Sequence, residues 1–121
     1  MSIDRRKAYY YRWTGEPKFS GIAVDVHVHT GTGGKELRFI SPPERPHSQP
    51  GAVLRETAGG FVFRSDGFMP GEWVFKELTI EEFRRWIAKR VGMGEAIASK
   101  ITTTDDLHEW YRKTFHFPTE D

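Results

Sequence analysis

The hydrophobic period of this chain changes once, near residue 78, and that change constrains the fold more than any other feature. Upstream, apolar residues recur at every second position, the period of a half-buried strand. "GIAVDVHVHT" (21–30) shows it best, with Ile22, Val24, Val26 and Val28 on one side and Ala23, Asp25, His27 and His29 on the other. "AYYYRW" (8–13), "ELRFIS" (36–41), "GFVFRS" (60–65) and "EWVFKEL" (72–78) read as further strands. "GTGGK" (31–35) is a turn that makes a hairpin of its flanking strands, and "DGFMPG" carries the turn signals joining the last two. "AVLRET" (52–57) fits a short strand or a turn of helix equally well.

Downstream the period becomes helical. Thr79 and Glu82 have the spacing of a capping box, and Ile80, Phe83, Ile87 and Val91 then form one stripe, with Trp86 beside it and Gly92 as a stop. "GEAIASKI" (94–101) is a candidate short helix. "TTTDDLHEWYRKTF" offers Thr103 or Thr104 as a cap, an apolar stripe of Leu107, Trp110, Tyr111 and Phe115, and a Glu109–Lys113 pair. Strands followed by helices predict an α+β fold: a mainly antiparallel sheet of about five strands in the N-terminal two-thirds, packed by two or three C-terminal helices. The valine side of residues 22–28 is expected against those helices, with the imidazole side wet.

The 121 residues suit a single compact domain spanning 1–121. "SPPERPHSQPG" (41–51) is expected as an exposed Pro-rich loop, because proline donates no ladder hydrogen bond. Nine Phe and four Trp predict a core of large rings. Cysteine is absent, which excludes disulfides, thiolate nucleophiles and Cys-ligated zinc and suits a reducing cytoplasm. No stretch approaches the roughly 20 apolar residues of a membrane span, and the N-terminus has no signal-peptide core. Net charge is only +1, so no global pull toward nucleic acid exists. The ends differ, however: residues 1–18 hold five Lys/Arg against two acids, and residues 102–121 hold two against five.

Asp25, His27 and His29 are the residues that look most like chemistry. Imidazoles at i and i+2 on a strand point the same way, roughly 6.5 Å apart at Cα, a spacing that can hold one metal ion given donors from elsewhere. "VDVHVHTG" resembles the first metal-binding strand of PHP-type phosphoesterases and of amidohydrolases, in which an acid precedes His-x-His. The resemblance spans eight residues. Those families are large α/β barrels with several later ligand motifs, which this chain has neither the length nor the residues to supply, so no catalytic role is carried onto Asp25, His27 or His29.

The remaining features are candidate contact residues. "RRKAYYYRW" (5–13) interleaves cations with rings, so Arg12 could meet phosphate while Tyr9, Tyr11 or Trp13 stacks on bases. Phe68 and Trp73 flank a turn where apolar groups can be presented to a partner. No nucleophile elbow or triad order is present. The leading expectation is a non-enzymatic protein-binding module without a cofactor, with the build of small immunity proteins or phage-encoded inhibitors. Its contact surface would lie around Asp25, His27, His29 and Arg38 or around Phe68 and Trp73. The alternatives are a metal-dependent hydrolase or small-ligand binder using His27 and His29, and a single-stranded nucleic-acid binder using residues 5–13.

Overall fold

The computed structural model describes residues 3–31, 34–42, 46–50, 53–65, 71–90, 92 and 94–114. The fold is α+β, with seven antiparallel strands followed by three helices. The strands are β1 (Ala8–Trp13), β2 (Glu16–Gly31), β3 (Gly34–Ile40), β4 (Pro46–Pro50), β5 (Val53–Thr57), β6 (Gly60–Ser65) and β7 (Gly71–Glu77). The helices are α1 (Ile80–Arg90), α2 (Gly94–Lys100) and α3 (Thr104–Thr114).

The strand count exceeds the expected five. The ambiguous 52–57 segment is a strand, β5, and part of the expected Pro-rich loop is another, β4, paired with β3 from Ile40↔Pro46 to Glu36↔Pro50. Proline is tolerated there because β4 stands at the end of the strand order, where one side needs no donor. Ser41 and Pro42, at the start of the same expected loop, are buried.

The order β4-β3-β2-β1-β7-β6-β5 places two chain-consecutive strands at opposite ends of the sheet. Only two residues separate Pro50 from Val53, so their Cα atoms lie within about 11 Å of one another. A sheet whose two ends are tied that closely is curled into an open barrel, with no ladder between β4 and β5 among the described residues. Ring contacts agree: Phe39 on β3 and Phe75 on β7, three strands apart, have centroids 5.5 Å from each other, and Tyr11 on β1 lies 6.5 Å from His47 on β4. In a flat sheet three strand spacings amount to about 14 Å.

Two cores result. The barrel interior holds Tyr9, Tyr11, Ala23, Val26, Leu37, Phe39, Phe61, Phe63, Trp73 and Phe75, all from strands. Phe61 and Phe75 stack at 4.6 Å, and the Tyr11 hydroxyl bonds Ser41 Oγ at 3.1 Å. The second core lies outside the barrel wall, where Ala8, Ile22, Val24 and Ile40 pack against Phe83, Ile87, Ile101, Leu107 and Tyr111 of the helical segment.

The helices follow their sequence signals. Thr79 N donates to Glu82 Oε1 (2.9 Å) and Glu82 N to Thr79 Oγ1 (3.1 Å), the reciprocal capping box. Thr103 and Asp106 repeat it at α3. Gly94 lets α2 approach α1 closely, since a Cβ there would lie 2.0 Å from the Ile87 carbonyl oxygen. Phe115 of the expected α3 stripe lies outside the described residues, as does Val91 of the α1 stripe.

Candidate functional site

One residue breaks the alternation of β2. Val24 pairs with Ile40, but the next pair is His27 with Arg38, so Asp25 and Val26 together face Phe39 alone. This is a β-bulge, and Asp25 sits in it with φ +53°, a region that side-chain-bearing residues rarely occupy. The extra residue moves everything after it to the other side. Ile22 and Val24 face the helices, whereas Val26 joins Ala23 inside the barrel and Val28 packs against the same interior core. The expectation of one continuous valine side against the helices is therefore corrected. His27 and His29 share the outer side with Ile22 and Val24.

Asp25 is held where it is by groups distant in sequence. Arg5 Nε donates to its Oδ1 at 2.8 Å and Arg5 NH2 to its Oδ2 at 3.3 Å, leaving the Asp25 side chain 13% exposed. The Tyr111 hydroxyl donates to the Arg5 carbonyl (2.9 Å), lies 3.4 Å from Asp25 Oδ1, and meets His108 Nδ1. Burial, with the Asp25 charge adding to it, pushes the Tyr111 hydroxyl well above its ordinary range, so it remains a donor. The cluster ties the N-terminal segment, the bulge and α3 together.

His27 and His29 are half-buried. His27 Nδ1 lies 3.0 Å from the Asp25 carbonyl oxygen, which only accepts, so the proton is assigned to Nδ1. His29 is opposite Glu36. Glu36 accepts from Arg38 Nε at 2.8 Å and from Ser48 Oγ, and these two donors, Ser48 first, hold its carboxyl below the usual range. Among the described residues, no three His, Cys, Asp or Glu side chains come together as a metal-binding group.

The other expected contact residues divide. Trp73 is 8% exposed, inside the barrel beside Tyr11 (5.9 Å) and Trp13 (6.3 Å), which corrects its expected place in an exposed patch. Phe68 lies outside the described residues. Tyr9 and Tyr11 point into the barrel and cannot stack on bases, and half-buried Trp13 leans on Trp73 and Phe19. Arg12, by contrast, is exposed on the outer side of β1.

Arg12 leads to a surface that sequence reasoning missed. The helices cover the outer wall over β1, β2 and β3, at Ala8, Ile22, Val24 and Ile40. The outer side of β7, β6 and β5 contributes no residue to that core. Register places Arg12, Val74, Val62 and Arg55 in one row across four strands. Tyr10 and Lys76 stand in the neighbouring row on one side, and Glu72, Arg64 and Val53 in the row on the other. Among the described residues, four cations thus share this wall with one acid. The only signal available beforehand was the outward parity of each cation, and it became readable once the strand order was known.

No family model matches the chain, and neither a curated protein nor a solved structure does. No helix among the described residues is long and apolar enough to cross a membrane.

Proposed function

We propose that this chain is a non-enzymatic protein-binding module, of the inhibitor or immunity type, acting in a reducing cytoplasm and contacting its partner through the outer wall of β1, β7, β6 and β5. One observation carries the reading: among the described residues the helices pack over β1, β2 and β3, while Arg12, Lys76, Arg64, Arg55 and Val53 are exposed on the wall beside them. The residues that resemble chemistry support it indirectly. Asp25 is engaged by Arg5 and fixes a bulge, and Glu36 is engaged by Arg38 and Ser48.

Affinity capture with wild type beside an R12E/R64E chain tests the proposal. A protein retained by wild type and lost by the variant is the expected result. Retention of the same proteins by both chains would refute the wall as the contact surface.

A further inference from the structure

We infer that the partner of this wall is a protein surface carrying carboxylates and apolar groups, rather than a nucleic-acid strand. The inference rests on the reading of the wall as the contact surface and adds what that surface selects. Its charge is the first argument. A chain of net charge +1 gathers Arg12, Arg55, Arg64 and Lys76 on one side of one sheet, where among the described residues the one acid in these rows is Glu72, 3.8 Å from Arg55. Helix α1 begins nearby, and Lys76 acts electrostatically on its Glu82, the helix acid that adjoins the wall. The excess remains positive, so the complementary surface is negative.

The shape of the patch is the second argument. Arg12 and Arg55 stand three strand spacings apart, roughly 14 Å. Between them lie half-buried Val74 and Val62, which is largely covered at 6% exposure, and Val53 in the adjoining row is 64% exposed. Apolar surface at Val74 and Val53 interspersed with arginines is the composition of a protein interface. Three of the four cations are guanidinium groups, whose planar fork matches a carboxylate with two parallel hydrogen bonds.

The third argument separates the two classes of partner. A single-stranded nucleic acid needs a series of rings on which successive bases stack. Among the described residues, Tyr10, 36% exposed, is the ring in these rows, and its neighbours Tyr9 and Tyr11 are turned into the barrel. The wall offers half-buried Val74 and exposed Val53 where a base-binding surface would offer further rings.

Two labelled probes at low ionic strength test this: a poly-L-glutamate chain and a thymidine oligonucleotide of similar length, each followed by fluorescence anisotropy. Wild type should bind polyglutamate at least tenfold more tightly than the oligonucleotide. The R55E/R64E variant should lose at least tenfold for polyglutamate, while K89E, a charge reversal on α1 away from the wall, should change it less than twofold. Circular dichroism and thermal melts confirm that each variant is folded. Tighter binding of the oligonucleotide that R55E/R64E abolishes would overturn the carboxylate partner while keeping the wall as a contact surface. Binding of either probe that ignores R55E/R64E, or no binding of polyglutamate at all, would overturn the inference, and the former would remove the wall with it.

Discussion

The two cores of this molecule are built by different means. Inside the barrel, every residue of the buried hydrophobic cluster comes from a strand, rings predominate, and the sheet curls around them because the short connection from Pro50 to Val53 ties its two ends. Outside the wall, aliphatic residues of β1, β2 and β3 meet helices, and that contact exists because the bulge at Asp25 divides β2 between the two sides. The interior needs the curl of the sheet, and the exterior needs a change of facing. A single strand, β2, serves both, with Val26 inside and Val24 outside.

The largest expected effect falls on the interior. Phe75 is 1% exposed and touches Phe61, Phe39 and Tyr11 with centroids of 4.6, 5.5 and 5.8 Å. Phe75→Ala should cost about 3–5 kcal/mol in urea denaturation. In the exterior core, Ile87→Val should cost about 1 kcal/mol, since one methylene is removed beneath helices that can settle. A loss from Ile87→Val as large as that from Phe75→Ala would break the distinction between a strand-built and a yielding core.

The bulge is the next test. Asp25→Ala removes the partner of Arg5 and leaves a side chain at positive φ, and it should cost about 2–3 kcal/mol. Asp25→Gly loses the same ion pair without the backbone strain, so it should be about 1 kcal/mol more stable than the alanine variant. Equal stability of the two would show that the backbone at this position carries no strain.

Smaller effects belong to the helix end and the open wall. Thr79→Ala removes a cap and should cost about 1 kcal/mol. Arg55→Glu should stay within about 0.5 kcal/mol of wild type, because the wall position is exposed. The smallest effect concerns acid. Glu36 has a lowered pKa in the fold, so the stability it contributes is present above the ordinary glutamate value and is lost as pH falls through the folded one. An NMR titration should place its midpoint below that of a free glutamate, and Arg38→Ala should raise it. A midpoint unchanged by Arg38→Ala would show that the Arg38 contact contributes nothing.

Much of the fold was legible in the residues themselves. The strands at 8–13 and 60–65 match their expected bounds, the Thr79–Glu82 capping box closes where its spacing predicted, and Thr103 is the cap of α3, one of the two residues expected for it. The excess of Phe and Trp does form a ring-rich core. Other features had no local signal. Trp73 sits near a turn in sequence, yet the strand order places it in the barrel. His47 lies in a Pro-rich segment, yet β3 takes that segment as a partner. The exposed wall could not be read before the helices were placed, because the outward side of β7 looks the same in sequence whether or not something covers it.

Period and capping chemistry are local, acting over two to four residues, so the sequence by itself determined which segments are strands and which are helices. The side each strand residue faces was decided only by the tertiary structure. It hangs on one extra residue at Asp25, whose strained backbone is held by Arg5, 20 positions away, and adjoins Tyr111, 86 positions away. The curl of the sheet is likewise a property of the strand order, since it places chain-consecutive β4 and β5 at opposite ends.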